Sequence, residues 1–210
     1  MRNVYFGKKK NNDEVIQVCN DGMQNFTANA QGIEHQDSRI FFYKDVEDES
    51  VLNLIRLLKE KAAACIQVQN QFELESPPPI KLHIQSYGGL LFSGFSGMEH
   101  IRTSKVPVVT IVDGMAASAA TFLSVVGHKR YMYEESSMLI HQLSSGFWGK
   151  FEEFLDEKKN LEMLMERIRR IYKTYTRMDD KLISNILKKD IYLTSEQCLA
   201  FGLVDEICSR

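Results

Sequence analysis

The chain has 210 residues, 44% hydrophobic and 26% charged, with a formal net charge of -2. That balance describes one ordinary globular domain with a core of its own, and it gives no reason to expect nucleic acid or an anionic membrane as partner. Cys19, Cys65, Cys198 and Cys208 are scattered, with no CxxC pair and no histidine at ligand spacing, so they read as reduced cytoplasmic thiols rather than a disulfide framework or a metal site.

The first ten residues, Met1-Arg2-Asn3-Val4-Tyr5-Phe6-Gly7-Lys8-Lys9-Lys10, hold no apolar core of a signal peptide. Residues 1–37 are polar, rich in Asn and Gln, and read as a loop-like arm that orders against a partner. From Ser38 the pattern tightens. Arg39-Ile40-Phe41-Phe42-Tyr43 predicts a strand, Asp45 to Glu49 an acidic turn, and residues 50–66 a helix with Val51, Leu54, Ile55, Leu57, Leu58 and Ala62 near one face. Pro77-Pro78-Pro79 closes a connector that cannot be helical. A second strand, Ile80-Lys81-Leu82-His83-Ile84, runs into Gln85-Ser86-Tyr87-Gly88-Gly89 and a helix over residues 90–104. The paired glycines read either as a plain tight turn or as one that presents backbone N–H groups.

Val106 to Val112 predicts a buried strand, and Gly114-Met115-Ala116-Ala117-Ser118-Ala119-Ala120 a turn into a helix over residues 121–126. Residues 108–126 approach the length of a membrane span, but Gly114 and the β-branched first half fit a buried strand and helix better. Gly114 is expected to supply an unusual backbone at the turn, leaving Ser118 beside the first free N–H groups of the helix. Ser118 there is either an N-cap or a nucleophile. Two short strands follow, Arg130-Tyr131-Met132-Tyr133 and Met138-Leu139-Ile140, the second leading into His141-Gln142. Ser144-Ser145-Gly146-Phe147-Trp148-Gly149 is a strand-capable loop. Residues 150–177 lack Gly and Pro and carry apolar residues at helical spacing, a helix of roughly 40 Å at 1.5 Å per residue, either projecting toward another subunit or lying in the core. A short helix over 179–188, a strand over 190–193, a capping box at Thr194-Ser195-Glu196-Gln197 and Gly202 as helix stop complete the chain. Successive strand-turn-helix units imply parallel strands with helices packed outside.

Ser118, His141 and Asp190 each fall beside a predicted strand end. A serine hydroxyl needs an imidazole to take its proton and a carboxylate to orient that imidazole. Singly, His141 reads equally as a hydrogen-bonded core histidine and Asp190 as a cap or turn former.

The Ser118 stretch, Met138-Leu139-Ile140-His141-Gln142, and Lys189-Asp190-Ile191-Tyr192-Leu193-Thr194-Ser195-Glu196 with Phe201-Gly202-Leu203-Val204-Asp205 resemble the nucleophile, base and acid blocks of the ClpP family of proteolytic subunits. Gln85 to Gly89 resembles its glycine turn, and Arg39-Ile40-Phe41-Phe42 with Val46-Glu47-Asp48 its first strand and helix entry. The likeness covers about residues 38–208. It implies an α/β fold, a ClpP/crotonase-like spiral of ββα units with a long protruding handle helix over about 150–177. It also implies a peptidase domain over 38–210 preceded by an arm, 1–37, that is a candidate axial loop. By resemblance Ser118 is the nucleophile, His141 the general base and acid, and Asp190 the orienting carboxylate. Gly89 and Ala119 supply the oxyanion hole, and Gly88, Gly146, Phe147 and Trp148 line the peptide groove, residues 146–149 as a strand. Two stacked seven-membered rings, a Clp-type ATPase partner, a polypeptide substrate, a cytoplasmic location and no metal or organic cofactor follow from the same likeness. Tyr87, Ala119 and Leu143 stand where the family usually has proline, methionine and proline, which bears on turn rigidity and the groove. Two further readings stay open: a non-catalytic ring subunit, and a crotonase-type acyl-CoA enzyme.

Overall fold

The computed structural model of the protein describes residues 5–6 and 38–208. In chain order the elements are β1 (Tyr5–Phe6), β2 (Arg39–Phe42), α1 (Asp48–Gln71), β3 (Ile80–Ser86), β4 (Gly89–Leu90), α2 (Leu91–Arg102), β5 (Val108–Ala117) and α3 (Ala119–Val125). Then come β6 (Lys129–Tyr133), β7 (Ser137–Leu139), α4 (Phe151–Tyr175), α5 (Asp180–Leu187), β8 (Tyr192–Leu193), α6 (Ser195–Phe201) and β9 (Glu206–Cys208). The main sheet runs β2-β3-β5-β6-β9, all parallel, with β7 added to the far end of β5 and β8 antiparallel to β7. Parallel neighbours joined through helices are the mixed α/β spiral that the strand-turn-helix units imply.

Alternation decides which side of each strand is buried. Ile40 and Phe42, Ile80, Leu82 and Ile84, Val108, Thr110 and Val112, and Met132 turn into the core, where α1, α2 and α3 contact the strands and one another. The opposite face carries Phe41, 59% exposed, with Tyr43 and Tyr133. On that face a polar clamp ties three strands: His83 Nδ1 lies 2.9 Å from Asp113 Oδ1, the Tyr43 hydroxyl donates to Asp113, and the Phe41 ring stacks on His83 at 4.7 Å between centroids. Burial and the Asp113 carboxylate push the Tyr43 phenol upward, so it stays a donor.

Several boundaries differ from the sequence reading. α1 continues to Gln71, five residues past its expected end, because nothing between 66 and 71 breaks a helix before the C-cap at Phe72. β5 runs through Gly114 to Ala117, so the expected turn at Gly114 is strand, and Gly114 does not have a positive φ. Residues 108–126 divide into β5 and α3, and among the described residues no helix is long and apolar enough to cross a membrane. Residues 5–6, expected as part of a loop-like arm, form a strand against β4; the rest of residues 1–37 lies outside the described residues. Residues 146–149, expected as a strand, form none.

At 1.5 Å per residue, the 25 residues of α4 span roughly 37 Å. Its buried side chains, Leu164, Ile168, Ile171 and Tyr172, all belong to the C-terminal half, whereas Phe151, Phe154 and Met163 stay exposed. The helix is therefore packed into the core along its C-terminal half, as the core reading expects, and exposed along its N-terminal half. The capping box at α6 forms as expected: Thr194 Oγ1 accepts from the Gln197 N–H at 3.4 Å and Gln197 Oε1 from the Thr194 N–H at 3.0 Å.

Arg130 on β6 closes the C-terminal part of the domain. Its Nη1 donates to the carbonyls of Tyr175 at 2.5 Å and Gly202 at 2.8 Å, while its Nε and backbone N–H both reach Asp205 Oδ2. The guanidinium holds the Asp205 carboxyl below its ordinary range. A depressed carboxyl adds stability that is complete above its unfolded value, near 3.8, and lost as pH falls through the lower native one. Asp205→Asn should therefore cost about 1 kcal/mol at pH 7, a figure set by the half-exposed carboxylate. The gap from the parent in urea denaturation should close on acidification below about pH 4.

Candidate active site

β5 delivers Ser118 at its end, and α3 begins with the next residue. Ser118 has φ 59° and ψ -126°, a backbone region that a residue with a Cβ enters only when its surroundings force it. Three contacts do so. The Ser118 N–H donates to the Leu139 carbonyl of β7 at 2.7 Å, and the Ser118 carbonyl accepts from the Thr121 N–H at 3.0 Å and the Thr121 hydroxyl at 2.6 Å. Because that hydroxyl proton is engaged, the buried Tyr172 hydroxyl of α4 donates to Thr121 Oγ1, at 2.7 Å. The strain expected at Gly114 thus falls on Ser118 itself. Ser118 is 1% exposed and holds the N-cap position of α3 as expected, but its side chain makes no capping hydrogen bond there.

The register of two strand pairs brings His141 and Asp190 to this turn. In the parallel β5·β7 pair Ala117 is opposite Leu139, so Ser118 and the residues just after β7 leave the sheet side by side. In the antiparallel β7·β8 pair Met138 faces Leu193 and Leu139 faces Tyr192. Carried two residues past the ends, that register sets His141 across from Asp190. The side chains follow: His141 Nδ1 is 3.7 Å from Asp190 Oδ1, an ion-pair distance longer than a hydrogen bond. His141 is buried and the Asp190 side chain is 59% exposed. The Gln142 N–H donates to the Leu187 carbonyl at 2.8 Å, fixing the chain beyond His141 to α5.

The glycine turn presses against the serine from β3. A Cβ built on Gly88 would lie 2.6 Å from Ser118 Cβ, 2.7 Å from the Ala117 carbonyl oxygen and 3.1 Å from the Ala119 nitrogen, and Gly88 has φ +94°. Gly89, at φ +148°, would bring a Cβ within 2.4 Å of the Val46 carbonyl oxygen. Both glycines are therefore required by contact, not by a generic turn, and they hold β4 directly over the start of α3. Ala119, fully buried, contributes a first-turn N–H of α3 at the same place. Of the expected groove residues, Gly88 is here, while Gly146 has nothing within 4 Å of its Cβ position and Trp148 is 97% exposed. Phe147 instead meets Phe154 of α4, with ring centroids 6.3 Å apart.

No thiol competes for the role of nucleophile among the described residues. Cys65 and Cys198 are buried thiols outside any disulfide; burial pushes Cys198 up to about 12, which keeps it protonated, and pushes Cys208 upward too. Thr121 and Tyr172 escape sequence reading: Thr121 stands three residues after Ser118, a spacing common to many helix starts, and Tyr172 lies 54 positions away on another element. The His83-Asp113 pair on the opposite sheet face is also invisible in sequence, and among the described residues no serine or cysteine hydrogen-bonds to either side chain there.

A family model described as Clp protease matches residues 31–210.

The two glycine substitutions nearest the site should separate sharply. Gly88→Ala should lower unfolding free energy by about 2 kcal/mol or more, from the positive φ and the collision with Ser118. Gly114→Ala, whose Cβ would meet only the flexible end of Gln85 at 3.1 Å, should cost less than about 1 kcal/mol. Chemical denaturation of the two variants checks the ranking.

Proposed function

The chain belongs to the Clp protease family, and from that premise we propose that it is a serine endopeptidase of unfolded polypeptides or short peptides. Ser118 is the nucleophile, His141 the general base and acid, and Asp190 the orienting carboxylate. The observation that carries this reading is the joint register of β5, β7 and β8. It sends a strained serine, an imidazole and a carboxylate off one end of the sheet, with the imidazole Nδ1 turned to the carboxylate.

In the reaction, Ser118 Oγ attacks the scissile carbonyl carbon while His141 Nε2 takes the hydroxyl proton. Asp190 holds the ring through Nδ1 and stabilises its positive charge. Negative charge gathers on the former carbonyl oxygen, where the Gly89 and Ala119 N–H groups receive it; fixed donors there cost no rearrangement at the moment of reaction. His141 returns the proton to the departing amine as the C–N bond breaks. A water, activated by the same imidazole, then hydrolyses the ester. An extended peptide pairs by main-chain hydrogen bonds with the glycine turn and, on the other side, with residues 146–149, which gives little sequence selectivity.

The functional particle of this reading is two stacked rings of seven, fed by a Clp-type ATPase, in the cytoplasm. The exposed N-terminal half of α4, with Phe151 and Phe154, suits a ring-to-ring contact. The described cysteines, none of them in a disulfide, suit a reducing compartment. Residues 1–37 are the arm and 38–210 the peptidase domain. The family match sets the chain with peptidases rather than acyl-CoA enzymes of similar fold. Tyr87, Ala119 and Leu143, where the family usually has proline, methionine and proline, favour one second reading, a ring subunit that does not itself cleave.

A fluorophosphonate probe separates these readings: it should label Ser118, and Ser118→Ala should abolish labelling without changing particle size by light scattering. An assembled particle that takes up no probe and cuts no unstructured peptide belongs to the second reading. Asp190→Asn should lower kcat by up to about 10⁴ with little structural change, because the ring loses its tautomer control. A drop below about tenfold would make Asp190 a turn residue only.

A further inference from the structure

β4 is a two-residue strand with different neighbours on its two edges. On one edge stands Val46: its N–H donates to the Gly88 carbonyl at 2.7 Å, and its carbonyl accepts from the Leu90 N–H at 2.7 Å. On the other stands β1, antiparallel, with Tyr5 opposite Leu90 and Phe6 opposite Gly89. Successive residues of a strand turn their backbone groups to opposite edges. Since Gly88 and Leu90 use theirs on Val46, the N–H and carbonyl of Gly89 face β1. Phe6 and Gly89 are then the hydrogen-bonded kind of antiparallel pair, in which each N–H meets the other carbonyl, and Tyr5 with Leu90 is the closer, non-hydrogen-bonded kind.

This register has a chemical meaning. The Gly89 N–H is a donor that the reaction above aims at the carbonyl under attack, and the Phe6 carbonyl is its partner. The direction also fits: as β1 runs from Tyr5 to Phe6, its partners run from Leu90 to Gly89, toward Gly88 and Ser118. We propose that the chain's own N-terminal strand occupies the peptide-binding edge of β4 in the manner of a substrate, with Phe6 in the acyl position. The arm is thus a competitor in cis for the site. The consequence for activity rests on the peptidase reading; the seating of β1 does not.

Two expectations about substrates follow. A polypeptide must displace β1 before it reaches Ser118, and a segment tethered to the same chain competes at an effective concentration in the millimolar range. Weakly binding short peptides are therefore cleaved poorly until the arm is dislodged. The favoured ligand is an extended segment whose main chain pairs with Gly89 as that of Phe6 does.

The seating is tested without catalysis, in the full chain carrying Ser118→Ala, with Cys19→Ser and Cys208→Ser so that the introduced pair cannot bridge to another cysteine. Tyr5→Cys paired with Leu90→Cys places two thiols on directly opposed positions, with Cβ atoms about 4.5–5.5 Å apart and within reach of a disulfide after small adjustment. Mild oxidation should close that bridge, read by peptide mapping, while Tyr5→Cys with Leu74→Cys, on the exposed segment after α1, should not. Failure of the first pair, or equal bridging in both, overturns the proposal. Occupancy is tested with Ser118 intact: Phe6→Pro removes the N–H that pairs with Gly89 and should raise the rate of fluorophosphonate labelling several-fold. An unchanged rate in a chain whose bridge forms overturns the competition. If neither chain is labelled, the peptidase reading fails, and the bridge alone decides where β1 sits.

Discussion

A serine held at φ 59° and ψ -126° is a standing constraint, since such a backbone costs on the order of 1–3 kcal/mol and collapses to an ordinary one unless its neighbours prevent it. Here β7 holds the Ser118 N–H and Thr121 holds its carbonyl. Any change in how β7 lies along β5 would release the first of these, and any rotation of α3 the second. The geometry of the site is therefore a property of how three elements pack, and only secondarily of the residues that would do chemistry.

The second grip reaches far from the turn. Tyr172 is fully buried, packs its ring near Phe122 at 5.9 Å between centroids and donates to Thr121, which donates to the Ser118 carbonyl. α4 thus begins as an exposed, aromatic-rich rod and ends as a support for the turn under Ser118. Through Tyr172 the packed half of α4 is tied directly to the backbone of that turn. The same helix closes the domain at its other end, where the Tyr175 carbonyl accepts from Arg130.

β4 is the second shared part. It lies between Val46, which fixes it to the domain, and β1, which covers its outer edge. Its two glycines let it approach both the Val46 backbone and Ser118 more closely than any side chain would permit. A short strand in that position presents aligned backbone groups on both edges, and here Val46 takes one edge and β1 the other.

Much of this was legible in the amino-acid order. Period-two runs and β-branched stretches located β2, β3 and β5. The 3.6-residue repeat located α1 and α4, Thr194 with Gln197 marked the start of α6, and the blocks around Ser118, His141 and Asp190 pointed to one family. These signals are local: each depends on residues within a few positions, whose propensities and side-chain directions hold wherever the segment is placed. Contacts between distant segments decided the rest. The burden of an unusual backbone fell on Ser118 and not on Gly114, since β7 supplies the carbonyl that holds it there. His141 came opposite Asp190 through a strand register, and Tyr172 joined the turn from 54 positions away. β1 found β4 across more than eighty residues. Sequence periodicity carries no term for such meetings, which are fixed by hydrogen-bond register and close packing once the sheet has formed.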